Sequence, residues 1–147
     1  MKVNDLSILL ADDDRDDCRF FKDAITGFIS PDNFTAVHDG EQLMQLLTNE
    51  TNKLPDILFL DLNMPRKNGF ECLSEIKQNK KLKHLPVVIL STSSIREQMS
   101  ILFKAGADVY ICKPGNFSQL VQVIQHALPM AAENIFSEGK LKYILNA

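Results

Sequence analysis

The chain has 147 residues, the length of one domain, and a domain of that size buries roughly 68–70% of the surface its unfolded form exposes. Its 16 Lys and Arg stand against 19 Asp and Glu, which leaves no electrostatic footprint for binding nucleic acid directly or an anionic membrane. Cys18, Cys72 and Cys112 are odd in number and lack Cys-x-x-Cys or His spacing, which argues against a disulfide framework or a zinc site. They read as small, buried or half-buried hydrophobes in a reducing compartment. The first residues lack the apolar core of a signal peptide, and no run of about 18 apolar residues occurs. A soluble, cytoplasmic protein is expected.

Short apolar runs alternate with helix-period segments along the chain. Residues 6–11 read as a strand, 16–28 as a helix with Cys18, Phe21, Ile25 and Phe28 on one stripe, 34–38 as a strand and 41–47 as a helix. Strands at 57–60, 87–90 and 109–112 then alternate with helices at 70–78, 96–105 and 118–128. The strands at 57–60 and 87–90 are continuously apolar, which suits strands covered on both faces of a parallel sheet. The expected fold is therefore a doubly wound α/β domain, five parallel strands flanked by five helices, over residues 1–128. Asp39-Gly40, Lys67-Asn68-Gly69 and the prolines at 55, 65, 86 and 114 fall at junctions. Asp14 is placed as a helix N-cap, and Asp16 and Asp17 as first-turn acids favouring the helix dipole. Past Pro129 the tail, residues 129–147, is too apolar for a plain disordered linker, and a short sixth helix is expected, packed on the domain or against a second chain in a homodimer.

Three of the apolar runs end on charge. The first runs into Asp12, Asp13 and Asp14, the third ends on Asp61, and the last ends on Lys113-Pro114. In open parallel sheets ligands bind outside the carboxyl ends of the strands, where these residues lie. Carboxylates 4 Å apart repel by about 4 kcal/mol at an effective dielectric near 20 unless a cation or proton intervenes. Asp13 and Asp61, with Asp12 directly or through water, can supply part of the octahedral oxygen shell of Mg²⁺ and leave a position for phosphate. Lys113 adds a point charge for a phosphoryl oxygen, and Ser91, at another strand end, a hydroxyl donor. One carboxylate can also be a nucleophile that becomes an aspartyl phosphate. Asp61, alone at the end of a central apolar strand, is the better candidate. His38, His84 and His126 have no metal spacing and are given no role.

These pieces resemble the response-regulator receiver domain of the CheY type over about residues 5–128. The matching segments are Leu10-Ala11-Asp12-Asp13-Asp14, the run from Asp56 through Asp61-Leu62-Asn63-Met64-Pro65 to Gly69, Val88-Ile89-Leu90-Ser91-Thr92, and Gly106-Ala107-Asp108 through Lys113-Pro114. The resemblance implies a stand-alone module of a two-component phosphorelay. Asp61 would be phosphorylated by a sensor histidine kinase or phosphotransfer protein, with Asp12, Asp13, Asp61 and the Asn63 backbone carbonyl serving Mg²⁺. It implies that Ser91 and Lys113 contact the phosphoryl group, that Lys113-Pro114 is a cis peptide, and that Ser93 lies where the family tunes the lifetime of the acyl phosphate. It also implies a switch through Ser91 and Tyr110 that presents helix four, strand five and helix five to a downstream protein. Gly115 stands where the family usually carries Phe.

Such a chain is a phosphoacceptor, an enzyme only toward its own phosphorylation and dephosphorylation. A rival reading, an aspartyl-phosphate phosphohydrolase of the haloacid-dehalogenase type, needs Asp-x-Asp. Asp61-Leu62-Asn63 puts an amide where the general acid belongs. A flavodoxin-like electron carrier would need a hydroxyl- and Gly-rich loop after strand one, where three acids stand instead. A receiver-shaped scaffold that is never phosphorylated would not need every chemical position filled, as they are here.

Overall fold

The central strands are buried on both faces because their alternating side chains enter two different cores. Ile8 and Leu10 of β1 (Ile8–Ala11), with Ile57 and Phe59 of β3 (Ile57–Asp61), pack in one core, while Leu9, Ala11, Leu58 and Leu60 pack in the other. The computed structural model describes residues 3–92, 96–132 and 143–145. The remaining strands are β2 (Phe34–Val37), β4 (Val87–Ser91), β5 (Val109–Cys112) and β6 (Tyr143–Leu145). All pair in parallel in the order β2-β1-β3-β4-β5-β6. The first core is completed by α1 (Arg15–Ile25) and α5 (Phe117–Ala132), the second by α2 (Gly40–Thr48), α3 (Gly69–Gln78) and α4 (Arg96–Lys104). Among the described residues no helix is long and apolar enough to cross a membrane.

Helix starts follow local chemistry. Asp14 accepts hydrogen bonds from the amides of Asp16 and Asp17 and caps α1 as its sequence position implies. Asp39 caps α2 by accepting from Gln42, and Asn68 and Glu71 form a reciprocal capping box at α3. Asn116 accepts from the Gln119 amide at 2.9 Å, so α5 has its own cap despite the missing Phe at position 115.

Three expectations are corrected. The helix ending at 128 continues to Ala132 with Pro129 inside it. Only one main-chain bond, to the carbonyl four residues back, is lost so near the end, while Ala127 and Leu128 anchor that turn in the core. The expected sixth helix is replaced at residues 143–145 by β6, which pairs with β5 through Val109↔Tyr143 and Ile111↔Leu145 and covers an edge that would otherwise stay unpaired. Residues 133–142, where the rest of that helix was expected, lie outside the described residues, as does Ser93. The Lys113–Pro114 bond is trans. Trans is the lower-energy X–Pro isomer by about 0.5–1 kcal/mol, and Gly115, exposed with open space around its α-carbon, makes no opposing demand.

Two glycines hold the loop that follows β3. A Cβ built on Gly69 would lie 2.3 Å from the carbonyl oxygen of Asp61, and one on Gly40 would lie 2.1 Å from that of Lys67. The starts of α2 and α3 therefore clasp residues 62–68 at distances no side chain allows. Gly69→Ala is expected to destabilise the protein by about 1–3 kcal/mol in urea unfolding, through displacement of the Asp61–Leu62 backbone. A variant as stable as wild type contradicts this close approach.

Candidate functional site

Register carries the charged residues to one end of the sheet. Ala11 pairs with Leu60 and Asp61 with Leu90, so Asp12 and Asp61 stand side by side where β1 and β3 end. Ser91, the last residue of β4, pairs with Cys112, and its carbonyl accepts from the Lys113 amide at 2.8 Å. One oxygen from each of Asp12, Asp13 and Asp61 lies within 4.8 Å of the others. Asp12 and Asp61 are buried and Asp13 is exposed. The residues fit a divalent ion. An ion with six oxygen ligands at roughly 2.0–2.1 Å sets them about 2.9 Å apart when adjacent and about 4.1 Å when opposite, so one hard cation needs only a small contraction of this set.

Asp12 is the most constrained of the three. Its Oδ1 accepts from the Asp14 amide at 3.0 Å and its Oδ2 from Lys113 Nζ at 3.0 Å. Its amide donates to the Val37 carbonyl, and its own carbonyl accepts from Cys18 Sγ at 3.4 Å and from His38 Nδ1 at 3.1 Å, in the tautomer with the proton on Nδ1. Asp61 Oδ1 accepts a long bond from the Asn63 amide at 3.4 Å. The Asn63 side chain is exposed, and Tyr110 is fully buried in the second core.

The electrostatics follow from burial. Burial pushes the Asp61 carboxyl up to about 6; Lys113 works against this shift and the Asp12 charge adds to it. For Lys113, burial opposes the charged form, but Asp12 and Asp61 outweigh it and hold the ammonium above its ordinary value. Burial, followed by the charges of Asp12 and Asp17, pushes the Cys18 thiol up to about 11, which leaves it an inert hydrogen-bonding group.

The structure thus brings Asp12, Asp13, Asp61, Ser91 and Lys113 to one end of the sheet, with Asn63 just past Asp61. Tyr110 stands one turn of the pleat below, inside the core. Two participants escaped the sequence reading. Asp17, assigned only to the helix dipole, pairs with Lys113 Nζ at 3.1 Å, and His38, assigned nothing, fastens the Asp12 carbonyl. The signal for Asp17 was its place in the first turn of α1, directly after the acids; His38 had the weaker one of directly following β2, which pairs with β1.

Residues 8–125 match the family model described as the response regulator receiver domain. The chain is 32% identical over 122 residues to response regulator Rcp1 of Synechocystis sp., an alignment covering 80% of this chain and 83% of that one. Among solved structures it is similar to the phosphorylated cyanobacterial phytochrome response regulator RcpA, with a TM-score of 0.79, 34% identity, and coverage of 86% of this chain and 94% of that one. It is also similar to the Mn²⁺-bound form of Rcp1, with a TM-score of 0.73, 30% identity, and coverage of 82% and 90%.

Because the native state of the metal-free protein binds the Asp61 proton more tightly than the unfolded chain does, its stability is expected to fall as pH rises from about 4 to about 6. Asp61→Asn removes that penalty. In EDTA at neutral pH the variant is expected to be about 1–3 kcal/mol more stable than wild type in urea unfolding, with a flatter pH profile. A less stable variant would show that Asp61 is not held under electrostatic strain.

Proposed function

The chain belongs to the response regulator receiver family, whose members take a phosphoryl group from histidine kinases or phosphotransfer proteins, and on that premise we propose that Asp61 is its phosphoacceptor. The observation that carries this reading is the convergence of Asp12, Asp13 and Asp61 within 4.8 Å, with Lys113 bonded to Asp12 beside them. A carboxylate oxygen of Asp61 attacks the phosphorus of a phosphorylated histidine; the P–N bond breaks as the P–O bond forms, and imidazole leaves. Asp12, Asp13, Asp61 and the Asn63 carbonyl would hold Mg²⁺, which when bound neutralises charge on the phosphoryl oxygens. Lys113 supplies a second, fixed positive charge, and the Ser91 hydroxyl a donor, at the oxygens where charge spreads. Mg²⁺ fits the all-oxygen donor set, and a neighbour solved with Mn²⁺ supports a divalent ion of this size.

The switch would follow from charge. An aspartyl phosphate adds about −1.5 to −2 with three acceptor oxygens, and a hydroxyl drawn toward it from Ser91 pulls on the segment leading to α4. Tyr110, already buried, would be locked in place by the same movement. Because β6 covers the outer edge of β5, the surface presented to a downstream protein would consist of α4 and α5 with β6 between them. The chain's enzymology would be confined to forming and losing its own acyl phosphate, in the cytoplasm, without direct contact to nucleic acid or membrane. A homodimer through the tail fits the same reading.

Incubation with acetyl phosphate and Mg²⁺ is expected to add the mass of one phosphoryl group to wild type and nothing to Asp61→Ala, read by intact-mass spectrometry. EDTA should abolish the adduct. An adduct retained by Asp61→Ala, or none on wild type with acetyl phosphate or any kinase, removes the proposal.

A further inference from the structure

Lys113 is shared between two acids that differ in kind. Its Nζ lies 3.0 Å from Asp12 Oδ2 and 3.1 Å from Asp17 Oδ2, and among the described residues it makes no hydrogen bond to Asp61. An ammonium has three donors, so two are committed before any phosphoryl group arrives. The Asp12 side chain is 2% exposed, and separating it from Lys113 would strand a buried anion. The Asp17 side chain is 42% exposed and belongs to the first turn of α1, where the helix dipole favours a carboxylate with or without a partner. Water can replace Lys113 at Asp17 at small cost. Room to move is also present. Asp17 and Lys113 line a cavity of about 250 Å³, walled by Phe20, Phe117 and Leu120, between α1 and the start of α5.

We propose that Asp17 is a positioning residue that holds Lys113 in the resting protein and releases it when Asp61 carries a phosphoryl group, so that the Asp17–Lys113 pair sets how readily the phosphorylated form is reached and kept. The inference rests on the reading of Asp61 as phosphoacceptor. Asp12 is the permanent anchor of the ammonium and Asp17 the exchangeable one. An acyl phosphate on Asp61 competes with Asp17 for the same donor. Neutralising Asp17 removes the competitor, and the phosphorylated form, or an analogue of it, gains what breaking the pair had cost.

The test is a titration of the full chain with beryllium fluoride in saturating Mg²⁺, followed by fluorine NMR, on wild type, Asp17→Asn and Asp17→Glu. Asp17→Asn is expected to bind roughly two- to fivefold more tightly than wild type, the range of a partly exposed ion pair, and Asp17→Glu to stay close to wild type. The difference should shrink at high salt, which screens an exposed pair. Asp17→Ser, also suited to the first turn of a helix, should repeat the Asn result. A purely structural role for Asp17 would produce neither the Glu rescue nor the salt dependence. Equal or weaker binding by Asp17→Asn and Asp17→Ser, or a Glu variant behaving like them, overturns the inference while leaving the phosphoacceptor reading intact. Failure of wild type itself to bind beryllium fluoride overturns the phosphoacceptor reading, and this inference with it.

Discussion

Three carboxylates, Asp12, Asp17 and Asp61, act on the Lys113 ammonium at the carboxyl end of the sheet, and a fourth, Asp13, converges on Asp12 and Asp61. At contact distances each unscreened pair of acids costs about 4 kcal/mol in a medium of effective dielectric near 20, more than one lysine can offset. The rest of the molecule serves to hold this imbalance open. It explains why Lys113 stays charged despite burial and why the site suits a divalent cation, while burial, more than the neighbouring acids, makes Asp61 take its proton back at unusually high pH.

The scaffold can sustain such crowding because its backbone is not free to relax. Parallel pairing fixes Asp12 and Asp61 at neighbouring strand ends, and both strands are buried on both faces, so neither carboxylate can retreat without unzipping a core. Three further bonds on the main chain of Asp12, from its amide to Val37 and to its carbonyl from Cys18 and His38, keep the peptide between the two acids in one orientation. On the other side, Gly40 and Gly69 bring two helix starts against the loop after Asp61. Electrostatic strain at the site is thus supported by packing elsewhere, the usual division between a strained centre and a rigid frame.

Most of the architecture was legible because continuous apolar runs mark strands buried on both faces, as β1, β3 and β4 are, and period-3.6 stripes mark helices packed on them. The acids and Lys113 were legible because an apolar run that stops on a charge marks a strand end. What stayed hidden depended on distance in space. Asp17 reads as an ordinary first-turn acid until β5 delivers Lys113 beside it, and His38 shows no role until β2 pairs with β1. The tail misled for another reason. An apolar segment of mixed period fits a short helix as well as a strand, and only the open edge of β5 decides for β6. Pro129 read as a helix stop, yet so close to the end its lost bond is outweighed by the buried turn before it.

The central claim, one cation pocket built from the ends of β1 and β3, is tested most directly by the anomalous signal of Mn²⁺ diffused into crystals of the protein. The account predicts a single strong peak within bonding distance of Asp13 and Asp61, with Asp12 in direct or water-bridged contact and Lys113 still beside Asp12. A peak elsewhere, or none while the three carboxylates point into separate solvent, would contradict it.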